Sequence, residues 1–321
     1  MRPLRRPAPM IAWGPRTTTS EQCPPTGCEK AVKRLAIIGQ PLGPTAIETV
    51  QRAAIEATGS ELRIERWERK PHQLAEAFAA LKGGEFAGAI VASPHKEKAA
   101  ALAGPLSDNA RASGAVNVVA VAGARLRGHN TDVSGVRAGL TALLPRVAGK
   151  WPRQAVVLGS GGGARAVVTV LIGAGFLRVA VFNRHLHRAE ALVAHFARSA
   201  KHMDLRALPW HDTIIEAELG KARLVVNASG EGSDASRSPV PAEALPADLY
   251  LLDLVMSGGS TPLVEAARRQ GATVANGELS FLTGQAEAFS LLSGQQAPLD
   301  AMRDALPRDA AAAEVAPVVG D

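Results

Sequence analysis

The sequence predicts an α/β protein of two domains, on three observations. Its 321 residues exceed one average domain and leave each of two domains enough chain to bury a core. Short apolar runs closed by Gly, Pro or polar residues alternate with stretches of helical period, the pattern of strands that cross over through helices into a parallel sheet. The alternation loosens after Ala103 and restarts at Gln154 with a glycine-rich turn between strand and helix, as at the opening of a second, doubly wound sheet.

Residues 1–33 are rich in Pro, Arg and Thr without a period of 2 or 3.6 and are expected to form a flexible extension. Its two cysteines, Cys23 and Cys28, have neither further Cys nor nearby His to complete a zinc tetrahedron. Order is expected to begin with RLAIIG (34–39), an apolar strand ended by Gly and followed by Pro41. The stretch TAIETVQRAAIEA then reads as a helix, ELRIERW as a strand, HQLAEAFAALKG as a helix closed by Gly, FAGAIVAS as a buried strand and KEKAAALA as a helix. GAVNVVAVA and ARLRGHN flank Gly123 as two short strands, and TDVSGVRAGLTALL opens with a Thr/Asp capping signal. Beyond Gln154 the strands are AVVLG, RVAVFNR, ARLVVNAS and LYLLDLV, with a long helix in HLHRAEALVAHFARSA. Residues 260–275 supply a further helix and strand, Phe281 onward reads as helical, and 308–321 as a fraying tail.

Charge narrows the partners. The formal net charge is +6, but residues 1–33 hold six basic and two acidic residues, so the remaining body carries only +2. A nucleic-acid groove would need clustered Lys/Arg interleaved with aromatics, and the chain has a single Tyr; no nucleic acid is expected. No window of 18 apolar residues and no secretory h-region is found, so no membrane is expected and the location reads as cytoplasmic.

The segment Gly159-Ser160-Gly161-Gly162-Gly163-Ala164 fits the G-x-G-x-x-G/A fingerprint in its required setting, between an apolar strand and a helix start near Arg165. The first Gly permits the tight turn, the second lets backbone approach a pyrophosphate, and the small sixth residue allows close helix-on-strand packing. A bare glycine loop is the alternative. The next strand ends Asn183-Arg184, with Arg188 one turn on, where an NAD site usually carries a carboxylate for the ribose hydroxyl. Two guanidinium groups there suit a 2'-phosphate and favour NADP(H) over NAD, against the reading that they are surface arginines at a helix start. Asn227 and Ala228 lie past a third strand, on the edge where ligands gather, though a strand-ending turn explains them nearly as well.

Pro94-His95-Lys96 follows a buried strand and puts a lysine on its carboxyl-end lip, where solvated lysines are also common. Asn130-Thr131-Asp132 sets an amide, a hydroxyl and a carboxylate at a strand-to-helix junction, where Thr131 or Asp132 could instead cap the helix. Together these stretches resemble the shikimate dehydrogenase family, colinearly from about Arg34 to Pro307. The resembling motifs are GQP, SPHK (93–96), GAVN (114–117), NTD (130–132), GSGGGARA (159–166), NRxxxR (183–188), NAS (227–229), DLV before Thr261-Pro262-Leu263, and Gln285-Ala-Glu-Ala-Phe.

The resemblance implies a substrate-binding catalytic domain over 34–131, completed by helices at 281–307, and an NADP-binding Rossmann domain over 132–280. It implies that Lys96 and Asp132 form an acid/base pair, that Asn117 and Gln285 hold substrate hydroxyls, and that Gly277 lies near the nicotinamide. The activity implied is reversible hydride transfer between NADPH and the ring carbonyl of 3-dehydroshikimate or a related cyclic acid, with a homodimer as one assembly open to it. Members usually carry a Ser-x-Ser pair after the GxP turn; this chain reads Gly43-Pro44-Thr45-Ala46-Ile47, leaving Thr45 as the one hydroxyl. Ala92 and Met256 stand where a threonine and a tyrosine are usual. Each charge-assisted hydrogen bond so lost is worth on the order of 1.5–3 kcal/mol, so an altered substrate, quinate or an aminated ring acid, and a sensor that binds NADP(H) without catalysis are the alternative readings.

Overall fold

A computed structural model describes residues 32–42, 45–144, 152–230, 238–256 and 259–307. Cys23, Cys28, the tail at 308–321 and Gly43-Pro44 of the altered turn lie outside the described residues.

The first sheet is built from β1 (Lys33–Gly39), β2 (Leu62–Glu68), β3 (Phe86–Val91), β4 (Val118–Ala122) and β5 (Arg125–His129) in the order β2-β1-β3-β4-β5. Lys33, expected in the extension, is the first residue of β1, and its N–H donates to the Glu61 carbonyl. β1 is central and buried on both faces, which is why Leu35–Ile38 form an unbroken apolar run. β2 is the edge, so its residues alternate between half-buried and exposed. The parallel arrangement holds for β1, β2 and β3; β4 and β5 run antiparallel as the hairpin through Gly123.

Helices α1 (Ala46–Thr58), α2 (Leu74–Leu81) and α3 (Lys96–Leu102) occupy the expected stretches. A further helix, α4 (Asp108–Ser113), was not legible in the sequence. Its six residues are too few to display a period, and it is marked only by Ser107 accepting the Ala110 N–H and by Gly114 closing its end.

The second sheet contains β6 (Gln154–Leu158), β7 (Arg178–Asn183), β8 (Asp204–Pro209), β9 (Leu224–Asn227), β10 (Tyr250–Asp253) and β11 (Thr273–Asn276). All run parallel, in the order β11-β10-β9-β6-β7-β8. Successive strands step outward from β6 to one side and then from β9 to the other, so the switch point of this Rossmann topology lies between β6 and β9. β8 escaped the sequence reading because it is a partly polar edge strand. Alternate residues of β6, β7 and β9 feed two cores. Val157, Val181 and Val226 pack under α5 (Asp132–Leu143), α6 (Gly162–Gly173) and α7 (Leu186–Phe196). Val156, Phe182 and Val225 pack under α8 (Asp212–Leu219) and α9 (Pro262–Arg269).

The chain then returns. α10 (Glu278–Ser293) begins three residues earlier than the sequence suggested and inserts Ala288 and Leu292 against Leu35, Ile90 and Val118 of the first sheet. α11 (Leu299–Asp304) closes on α1 through Met302, Val50 and Ala54. α5 and α10 pack closely, because side chains are absent at Gly135 and Gly139, which face Ser280. Among the described residues no helix is long and apolar enough to cross a membrane, and no group of three His, Cys, Asp or Glu is placed to hold a metal ion.

Candidate active site

The glycine turn lies at the carboxyl end of β6. Gly159 takes a φ of +103°, and a Cβ there would sit 2.5 Å from the Ala228 carbonyl, so the turn is pressed against the exit of β9. Gly161 faces open space, and a Cβ on Gly163 would meet only Ala228, at 3.9 Å. α6 begins at Gly162 rather than near Arg165, without a side-chain cap and without an acid in its first turn. Its leading N–H groups are therefore left to an anion. Ala164 is buried against the sheet, and the Ser160 hydroxyl is buried in the turn with no protein partner. These are the features of a pyrophosphate cradle, and the residues fit a dinucleotide.

Neighbouring strand ends complete the rim. The Gly159 N–H donates to the Phe182 carbonyl, which sets the exit of β7 beside the turn. There Asn183 donates from Nδ2 to the His185 carbonyl at 3.0 Å, and Arg184 and Arg188 stand exposed. Asn227 is wholly buried. Its Nδ2 donates to Asp253 Oδ1 at 3.0 Å, and its Oδ1 accepts from the Ser229 N–H and hydroxyl at 3.1 and 2.6 Å. Asn227 thus braces the turn from behind, while Ala228 presses on Gly159. Burial pushes the Asp253 carboxyl upward, and hydrogen bonds from Thr261, Val255 and Asn227 oppose that rise. Gly277 lies against the end of β10, where a Cβ would meet the Asp253 carbonyl at 2.8 Å.

Across from the turn, β3 delivers Lys96 and β5 delivers Asp132. Lys96 Nζ donates to Asp132 Oδ2 at 2.6 Å, with the two side chains 19% and 21% exposed. The second carboxylate oxygen accepts from Asn117 Nδ2 at 2.9 Å, and the same Nδ2 donates to Thr131 Oγ1 at 2.8 Å. Asn117 Oδ1 accepts the Thr131 N–H at 2.8 Å, so this amide fixes Asp132 from behind. The Asp132 N–H donates to Asn130 Oδ1, and Asn130 Nδ2 donates to Ser113 Oγ at 2.8 Å and to the Ala115 carbonyl. The capping alternative for α5 is not what the geometry shows. Thr131 has helical dihedrals and no side-chain cap bond, and the Asp132 carboxylate is taken by Lys96 and Asn117.

The two halves touch. A Cβ on Gly162 would lie 2.7 Å from Cδ and 2.8 Å from Cβ of Lys96, so the first residue of the cofactor helix abuts the lysine stem. Gln285, on α10, is buried; its Oε1 and its main-chain carbonyl both accept from Gln51 Nε2, at 3.1 and 2.9 Å. Thr45 accepts the Glu48 N–H and caps α1. Ile47 packs toward Leu35 and Ile90, and Met256 toward Val50, Ala54 and Leu282. Gln51, Ser113 and Arg165 were not singled out from sequence, and no local spacing marks them: Gln51 and Gln285 are 234 residues apart.

Residues 37–119 match the Shikimate dehydrogenase substrate binding domain, and residues 145–242 match Shikimate / quinate 5-dehydrogenase. The shikimate dehydrogenase (NADP(+)) of Symbiobacterium thermophilum is 35% identical over 274 residues, 84% of this chain and 92% of that protein. That of Halobacterium salinarum is 36% identical over 271 residues, 84% and 97% of the two chains. The crystal structure of the Thermus thermophilus shikimate 5-dehydrogenase, in complex with NADP(H) and shikimate, has a TM-score of 0.72 and 33% identity over 85% of this chain and 98% of that one. With likeness running through both sheets and joining a glycine turn to an adjacent lysine–aspartate pair, the chain belongs to the shikimate dehydrogenase family.

Proposed function

We propose that this chain is an NADP-dependent oxidoreductase that interconverts a ring carbonyl and a ring hydroxyl on a cyclic acid of the shikimate type, 3-dehydroshikimate or a close relative. The observation that carries the reading is the 2.6 Å Lys96–Asp132 pair with its lysine stem against Gly162 of the cofactor turn. NADPH, when bound, supplies a hydride to the carbonyl carbon. Lys96 then gives a proton to the oxygen that becomes the hydroxyl, and takes it back in the reverse direction. Asp132 aims the ammonium, and Asn117 holds Asp132 from behind while offering its side chain to a substrate hydroxyl. Gly159, Ser160, Gly161, Gly162, Gly163 and Ala164 form the cradle for the pyrophosphate. Asn183, Arg184 and Arg188 take the 2'-phosphate, Asn227 and Ala228 shape the rim, and Gly277 approaches the nicotinamide. Thr45 remains as the one hydroxyl for the substrate carboxylate, and Gln285 as a contact for a ring hydroxyl.

The test is nicotinamide absorbance with NADP+ and, in turn, shikimate, quinate and an aminated ring acid. Turnover with one of them supports the reading. Lys96→Ala should abolish that turnover while an NADPH titration stays nearly unchanged. Lost nucleotide binding in the variant would show that the lysine is misassigned, and a wild-type protein that binds NADPH yet is silent with all three would mark a sensor.

A further inference from the structure

The geometry points to Arg165 as a positioning residue that sets the cofactor helix in register with the Lys96–Asp132 pair, an inference that rests on the reading above. Arg165 is the fourth residue of α6, one turn after Gly162 and on the same face. It is 7% exposed, although it carries a full charge. Two of its three nitrogens have partners that offset the lost hydration, while Nε is buried without one. Its partners lie in the other sheet's domain. Nη2 pairs with Glu97 Oε2 at 3.1 Å, and Nη1 donates to the Ser113 carbonyl at 3.4 Å.

Both partners lead to the reacting groups. Glu97 follows Lys96 directly in the first turn of α3. Ser113 holds Asn130 through its hydroxyl, and Asn130 accepts the N–H of Asp132. One guanidinium therefore fixes α6 both to the element that carries the lysine and to the hydrogen-bond chain that seats the aspartate. His195 on α7 adds a second strap to α4, with Nε2 3.0 Å from the Ala112 carbonyl and its ring against Gly114. Arg165 has no hydrogen bond or ion pair to Lys96 or Asp132; it acts through Glu97, Ser113 and Asn130. Its chemical consequence is the separation between the hydride donor seated on the turn and the proton donor at Lys96.

The experiment compares wild type, Arg165→Met and Glu97→Gln in NADP+ reduction with shikimate, using shikimate deuterated at the oxidised carbon as the second substrate. It also measures NADPH affinity by fluorescence and amide exchange over residues 108–114. A register error near 1 Å predicts a kcat lower by about 100-fold in Arg165→Met. The isotope effect on kcat should rise, because hydride transfer becomes limiting, while NADPH affinity stays within about twofold of wild type. Exchange over 108–114 should accelerate with or without turnover. Glu97→Gln should move kcat and the isotope effect the same way by a smaller factor, and it decides the matter if Arg165→Met does not fold. Wild-type kinetics and exchange in the variants overturn the inference, as does a kcat loss with an unchanged isotope effect, the mark of fewer folded molecules. A wild-type enzyme silent with shikimate would exclude that one substrate among those proposed and leave the exchange measurement to judge Arg165 alone.

Discussion

Replacing Gly162 with Ala adds one methyl group whose position the structure fixes. The new carbon would lie 2.7 Å from Lys96 Cδ, 2.8 Å from Cβ and 3.2 Å from Cγ. Carbon atoms rest at about 3.5–4.0 Å, so the stem must recede by roughly 0.8–1.3 Å. The far end of a lysine swings away cheaply, but its Cβ is anchored to the backbone of α3, so the displacement passes to Nζ and to its 2.6 Å bond with Asp132. A shift of about 1 Å in a reacting group costs on the order of 100-fold in rate. Because this methyl points at Lys96 rather than into the open side of the turn, NADPH affinity should stay within a few-fold. Gly161 is the internal control. A Cβ there meets no protein atom within 4 Å, so Gly161→Ala should leave the lysine alone and weaken NADPH binding instead, by intruding where the pyrophosphate is expected. Steady-state kcat and a fluorescence titration of NADPH separate the two variants. Equal losses of affinity in both, or full kcat in Gly162→Ala, would refute the placement of the turn against the lysine.

Three further outcomes can be checked. Gly135→Ala should destabilise the fold by about 1–3 kcal/mol, read as a lower denaturant midpoint, because the methyl meets the Ser280 backbone and forces α5 from α10. Replacing Arg184 and Arg188 together by Ala should weaken NADPH by roughly 10- to 100-fold, the lower end for two exposed charge-assisted bonds, and leave NADH affinity unchanged in the same titration. His129 has its pKa lowered from 6.5, first by burial and then by Arg127, so the folded state prefers the neutral ring. Its contribution to stability is present above about 6.5 and lost as pH falls through the lowered value, so denaturant melts of wild type should lose more between pH 7.5 and 5 than those of His129→Asn.

What was legible in the sequence follows from which interactions are local. The runs at Leu35–Ile38 and Val156–Leu158 belong to strands buried on both faces, so hydrophobicity alone reveals them. The glycine turn is recognisable because its demands, a left-handed residue at Gly159 and an uncapped helix start at Gly162, fall within six consecutive positions. β8 and α4 lack such marks: one is a partly polar edge, the other too short for a period. Lys96 and Asp132 came from resemblance rather than spacing, since 36 residues separate them.

Thr131-Asp132 shows why local chemistry alone misleads there. Hydroxyl and carboxylate at a helix start carry the signature of a cap because both can accept the orphan N–H groups of the first turn. Folding offers each oxygen a competing donor from elsewhere: the Asn117 amide for the threonine, and the Lys96 ammonium and the same amide for the aspartate. The lysine outcompetes a backbone N–H for the carboxylate because it adds the attraction of a full opposite charge to the hydrogen bond. Neither side chain caps the helix, whose Asp132 N–H goes to Asn130 instead, and the carboxylate faces the lysine with its second oxygen already held. A residue at a helix start is thus a candidate for chemistry when the fold brings a stronger partner than the helix itself supplies, and Asp132 meets that condition through residues 15 and 36 positions away.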